Sequence, residues 1–175
     1  AYDMCLLTKK ALEQPFFCKV VKTINYLKPA SNKQSQVELL QHNSLLKPGK
    51  FYYPKAIGVK TGYTASSGYT IVAAAADQNR KMIVVLMGCD KLEQRYRDTI
   101  ALFEAGFNEP KVKRTLFSKN FDVFSIMQKK SKSPIKVILH EDVVIDYYAS
   151  EEPLIKPELK WEPIIFPIQP GQRLA

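Results

Sequence analysis

The stretch AIGVKTGYTASSGYTIVAAAADQNRKMIVVLMG, residues 56–88, decides the fold. It holds three short runs rich in Ala, Val, Ile and Tyr: Ala56 to Thr61, Gly68 to Ala76, and Lys81 to Gly88. Val, Ile and Tyr suit a pleated surface. Thr70 to Ala76 and Met82 to Met87 are almost wholly apolar, without the polar alternation of a strand wetted on one face. Strands covered on both sides have this pattern, so the runs predict a sheet with helices on each face. Asp77-Gln78-Asn79-Arg80 between the second and third runs predicts a tight hairpin.

Working outward, residues 91–106 predict a helix. Leu92, Tyr96, Thr99, Ile100 and Phe103 share one face, Glu93, Arg95, Arg97 and Asp98 lie mostly off it, and Gly106 suits the C-cap. On the other side, Tyr2, Cys5, Leu6 and Leu12 recur near helical spacing. Pro15 then fits the first turn of a second short helix, Phe16 to Val21. Thr23 to Leu27 alternates weakly and could be a strand, residues 30–36 are polar and loop-like, and Lys47-Pro48-Gly49-Lys50 is a turn. After Pro110 the composition changes. Phe121 to Met127, Ile135 to His140 and Val143 to Tyr148 are short β-like runs, and Pro153, Pro157, Pro163, Pro167 and Pro170 forbid helix in the tail. The chain is therefore expected to be α+β, with one domain over 1–108 and a small all-β domain over 109–175.

Composition narrows the class. With 46% hydrophobic and 25% charged residues in 175, the chain reads as globular. No apolar run approaches the ~20 residues of a membrane span. Three cysteines do not make a disulfide framework, and Cys5, Cys18 and Cys89 sit among apolar neighbours as small hydrophobes would. The net charge of +9 favours an anionic partner: nucleic acid, a lipid surface, or a substrate carrying carboxylates. Charge alone does not choose among these. Residues 1–12 already look like the inside of a helix and show no signal-peptide pattern, so a piece of a longer protein is expected.

The sharpest local feature is Gly58-Val59-Lys60-Thr61-Gly62-Tyr63-Thr64. At the end of an apolar strand, Lys60 would supply a fixed positive charge, and the Thr61 hydroxyl could donate to a carboxylate. Gly62 would let a substrate approach the strand edge, since no Cβ stands in the way. The backbone N–H of Tyr63 could point into an oxyanion site. A bare Lys-Thr-Gly is also compatible with a plain strand end followed by a glycine turn.

The context adds a resemblance. Asn43-Ser44-Leu45-Leu46, then Ala56 to Thr64, Ser67-Gly68-Tyr69, Val72 to Ala75 and Ile83 to Gly88 resemble the low-molecular-mass penicillin-binding proteins, the serine D-alanyl-D-alanine carboxypeptidases. The Pro-rich tail looks like the β-rich C-terminal domain of that family. The resemblance implies a β-lactamase/transpeptidase-like sheet with flanking helices, of which residues 1–108 are the C-terminal part, and a second domain at 109–175 that is truncated. It implies an acyl-serine mechanism with three motifs: Ser-x-x-Lys, Ser-x-Asn and Lys-Thr-Gly. Lys60, Thr61 and Gly62 match the third. Lys60 would be catalytic, Lys60 and Thr61 would hold the substrate's terminal carboxylate, and Gly62 and Tyr63 would line the site. Tyr63 stands where many relatives have His, so its backbone role is the one carried over.

Strings with the form of the other motifs need the right setting. Ser44-Leu45-Leu46-Lys47 is followed at once by Pro48-Gly49, and Ser133-Pro134-Ile135-Lys136 enters a β-like run, whereas a catalytic Ser-x-x-Lys opens a helix. Ser118-Lys119-Asn120 lies after Lys-Thr-Gly, against the family order. The nucleophile and Ser-x-Asn are therefore expected upstream of Ala1, and the fragment alone is expected to be inactive. The implied partners are the peptidoglycan stem peptide and β-lactam antibiotics, with a possible membrane surface and no nucleic acid. No cofactor is implied, and His42 and His140 have no metal-spaced companions. The implied location is the bacterial cell envelope, on the periplasmic side of the inner membrane. A non-catalytic basic binding module and a β-lactamase relative are the alternatives.

Overall fold

The computed structural model describes residues 1–78, 80–129 and 131–175. The chain divides into two compact units, Ala1–Asn108 and Glu109–Ala175. The first carries helices α1 (Tyr2–Ala11), α2 (Pro15–Lys22) and α3 (Leu92–Phe107). Its strands are β1 (Asn25–Lys28), β2 (Val37–Leu40), β3 (Ala56–Thr64), β4 (Gly68–Asp77) and β5 (Arg80–Cys89). A 3-10 turn covers Ser44–Leu46. Strands β1 and β2 form a hairpin, and β3, β4 and β5 form an antiparallel sheet in that order.

Helix α3 covers one face of this sheet. Tyr96 and Phe103 from α3 join Leu45, Tyr53, Ala56, Ile71, Ala73, Ala75 and Val84 in one buried cluster. Small alanines on β4 let the helix sit close. The opposite face meets α1, against β4 and β5, and α2, against β3. A Cβ on Gly58 would stand 2.8 Å from Val21 Cγ2 of α2, so a glycine is needed where helix and strand touch. Covering both faces accounts for the unbroken apolar runs of β4 and β5.

Several boundaries differ from the sequence expectations. β3 continues through Tyr63 and Thr64, because these still pair with Tyr69 and Gly68. Lys60-Thr61-Gly62 is thus interior to the strand and does not end it. Asp77 pairs with Arg80 across the turn, and Asn79 of that hairpin lies outside the described residues. Helix α3 runs past Gly106 and is capped at Asn108. Gly106 has a packing role: a Cβ there would collide with the thioether of Met82. Leu92, expected on the apolar face of α3, is exposed, whereas Arg95 is buried. Cys89 is buried, and Cys5 and Cys18 are partly so.

The second unit is β-rich. β6 (Lys111–Phe117) pairs antiparallel with β9 (Val143–Tyr148), and β7 (Val123–Ile126) with β8 (Ile135–Ile138). β6 carries three basic residues, whose charges alone would suit a solvated loop. Those side chains, Lys111, Lys113 and Arg114, are indeed exposed, but the backbone is paired. Residues 152–175 form no helix or strand. Among the described residues no helix is long and apolar enough to cross a membrane.

Candidate active site

The register of β3 against β4 sets the direction of each side chain. Directly opposed residues on antiparallel strands share a face. Thr61 faces Ile71, a member of the cluster under α3, so Thr61 points toward that helix and is 8% exposed. Lys60 faces Val72 and Gly62 faces Thr70, which puts both on the other side, the side of Gly58 and α2. The Lys60 and Thr61 side chains therefore leave the strand in opposite directions. The two can serve one ligand only around the strand edge.

That edge is open. Among the described residues β3 has a strand partner on the β4 side alone. Lys60 is exposed and folds back so that its ammonium donates to the Thr61 carbonyl at 2.6 Å. A Cβ on Gly62 would stand 2.6 Å from the Thr70 hydroxyl oxygen, so the position is tight toward β4 as well as bare toward a ligand. Tyr63 is 60% exposed, and its ring lies 4.4 Å from that of Tyr69, centroid to centroid. The arrangement offers one cation, an open strand edge and no side chain at Gly62, which suits an extended substrate with an anionic end.

Beneath the strand stands a polar group that sequence patterning missed. Arg95 of α3 is buried, and its guanidinium donates from Nη1 to the carbonyls of Gly62 (3.1 Å) and Thr70 (3.2 Å). Nη2 donates to the Tyr96 hydroxyl at 3.0 Å. That hydroxyl also accepts from the Ser44 backbone N–H and donates to the His42 carbonyl. Burial alone would raise the Tyr96 phenol. The donors at Ser44 and Arg95 outweigh it and hold the group below its ordinary value. A signal for Arg95 was present: it lies four residues before Thr99 and eight before Phe103, in one helical stripe.

The serines of the other motif-like strings lack the expected local setting. Ser44 opens a three-residue 3-10 turn in which Asn43 Oδ1 accepts from the Leu45 N–H, and Lys47 is already extended. Ser133 lies in a bend of the second unit, and Ser118 precedes a turn there. Neither His42 nor His140 joins a metal-binding group, and no cluster of three or more His, Cys, Asp or Glu occurs among the described residues.

The sequence profile of the D-alanyl-D-alanine carboxypeptidase family matches residues 1–91, just over half of the chain. The chain belongs to this family. Among curated D-alanyl-D-alanine carboxypeptidases, DacF of Bacillus subtilis is 30% identical over 179 aligned positions, which cover 100% of this chain and 44% of that protein. DacB2 of Mycobacterium tuberculosis is 32% identical over 91 residues, 50% of this chain and 28% of that protein. The chain thus spans less than half the length of the carboxypeptidases it matches. Among solved structures, a D-alanyl-D-alanine carboxypeptidase of M. tuberculosis superposes with a TM-score of 0.52 at 30% identity, over 61% of this chain and 39% of the other. A Streptomyces DD-transpeptidase superposes with a TM-score of 0.54 at 27% identity, over 60% of this chain and 40% of the other. The α+β architecture is therefore that of the carboxypeptidase and transpeptidase fold.

Proposed function

We infer that this chain is part of a serine D-alanyl-D-alanine carboxypeptidase that removes the terminal D-Ala from peptidoglycan stem peptides and is acylated by β-lactams. The observation that carries this is Lys60-Thr61-Gly62 on the open edge of β3, in a chain that belongs to the family. In the reaction, a serine Oγ attacks the penultimate D-Ala carbonyl and its proton passes to a base. The tetrahedral oxyanion collapses, D-Ala leaves with a proton, and water hydrolyses the ester to free the serine. The nucleophile and its base would come from residues outside this chain, since Ser44 and Ser133 lack a helical Ser-x-x-Lys setting.

Four residues of β3 have a part in this scheme. Lys60 would supply the charge that draws the substrate carboxylate, and the Thr61 hydroxyl would donate to it around the strand edge. Gly62 would leave room for the peptide, and the Tyr63 N–H would serve as a preorganised donor to the developing oxyanion. Residues 1–108 would form the C-terminal part of the catalytic domain, and 109–175 part of a β-rich C-terminal domain. The setting would be cell-wall maintenance at the periplasmic side of the inner membrane. The net charge of +9 suits an anionic membrane and wall polymer.

Fluorescent penicillin tests this in the full-length protein. The parental protein should label covalently and release D-Ala from a stem-peptide mimic, and Lys60→Ala should lose both by about a hundredfold or more, the scale of a lost electrostatic contact at the transition state. Near-parental labelling by a folded Lys60→Ala protein rejects the role of Lys60. Failure of the parental protein to label rejects the activity.

A further inference from the structure

Arg95 has 5% of its surface exposed. A guanidinium that deep is costly unless its charge is met. No ion pair joins it to a carboxylate among the described residues. Its partners are instead the Gly62 and Thr70 carbonyls, the Tyr96 hydroxyl, and the faces of the Tyr96 and Tyr69 rings at 4.7 and 5.5 Å. Among the described residues its Nε has no hydrogen-bond partner. A hydrophobic side chain of similar length would fill the space without this cost, so the arginine needs a reason.

Gly62 and Thr70 face each other across the β3–β4 ladder. A single nitrogen that reaches both carbonyls stands between the strands, so the Gly62 carbonyl is directed inward. The Gly62 C=O and the Tyr63 N–H belong to one planar trans peptide and point in opposite directions. Holding that carbonyl inward therefore aims the Tyr63 N–H outward, at the open edge of β3. The ladder to β4 holds this peptide from one side and glycine adds no restraint of its own, so the Arg95 donor is a second hold on the same carbonyl.

We propose that Arg95 is a positioning residue for acyl transfer: it fixes the Gly62–Tyr63 peptide plane so that the Tyr63 N–H faces the reacting carbonyl. This rests on the carboxypeptidase reading above. In this scheme Arg95 acts through the peptide, with Nη1 and one N–H of Nη2 donating beneath the strand. Tyr69 and Tyr96 stack against the guanidinium and keep it from swinging away. Lysine could match the charge but presents a point donor in place of the planar fork.

The test uses the full-length protein, with β-lactam acylation separated into the binding constant and the acylation rate constant, and with thermal unfolding measured alongside. In Arg95→Met the acylation step should slow by ~10²-fold, as for loss of one oxyanion donor. Binding should change by less than about threefold, since Lys60 and Thr61 remain. Arg95→Lys should fall between the two, and it decides the matter if Arg95→Met does not fold. A backbone amide readout removes dependence on rate: the Tyr63 N–H resonance should shift on binding a boronic acid in the parental protein and shift less in either variant. A folded variant that acylates at the parental rate overturns the role of Arg95, as does a loss confined to binding or an unchanged Tyr63 shift. If the parental protein itself is not acylated, the carboxypeptidase reading fails first, and that outcome is distinct from a labelled parent with an indifferent Arg95.

Discussion

Tyr53, on the loop that enters β3, donates a 2.6 Å hydrogen bond to the carboxylate of Glu104 on α3. The same carboxylate lies 3.6 Å from Lys55, which pairs with Asp77 at 2.8 Å at the end of β4. The bond ties the start of the candidate strand to the helix that covers it, and the Tyr53 and Phe103 rings stack below at 5.5 Å.

Tyr53→Phe keeps the ring and removes the bond. Glu104 is open enough to recover water, so the cost should be about 1 kcal/mol. The pH dependence has two limbs. The Tyr53 hydrogen bond is the main reason the Glu104 carboxyl is held below its ordinary value. A depressed folded-state pKa gives stability that is present above the unfolded value, near 4, and is lost as pH falls through the folded one. Burial first, then the bond to Glu104 and its charge, push the Tyr53 phenol up. That stability is present below about pH 10 and is lost as pH rises further. Denaturant unfolding of the full-length protein should therefore show parent and variant converging in acid. A constant gap from pH 3 to 7 contradicts the coupling.

Tyr96→Phe probes a different junction. The Tyr96 hydroxyl serves the Ser44 N–H, the His42 carbonyl and Arg95 together. Removing it strands two donors in a buried place, so a loss of about 1–3 kcal/mol is expected. Calorimetry reads this as a lowered Tm, and an unchanged Tm rules the junction out as a stabilising element.

Gly62→Ala separates packing from ligand access. Its new Cβ would meet the Thr70 hydroxyl at 2.6 Å, so the single variant should lose both stability and β-lactam labelling. Adding Thr70→Ala opens that contact. The double variant should regain Tm while labelling stays at least tenfold slow, because the methyl still stands where the substrate approaches. Full recovery of labelling would mean that Gly62 matters for packing alone.

How much of this was visible in the residues depends on the kind of signal. β4 and β5 were legible because a two-face burial leaves unbroken apolar runs, Thr70 to Ala76 and Met82 to Met87. Lys60-Thr61-Gly62 was legible as a motif, but its place inside β3 was not, since Tyr63 and Thr64 join the strand only by pairing with Tyr69 and Gly68. β6 was hidden by its own exposed charges, which a ladder to β9 tolerates as easily as a loop does. Arg95 was read by charge and assigned to the wet side of α3. Only the pair of strand carbonyls above it, far away in sequence, gives a buried guanidinium somewhere to donate.

The unpaired side of β3 has a cost that enzyme chemistry does not mention. A bare strand edge recruits other strands as readily as it receives a peptide, and a charge standing on such an edge is a common guard against that. Lys60 is the exposed cation of β3 at this stretch. The same ammonium that would attract an anionic substrate would thus also disfavour edge-to-edge pairing of two copies. Neutralising it would remove a reactant's anchor and a safeguard against aggregation in one step.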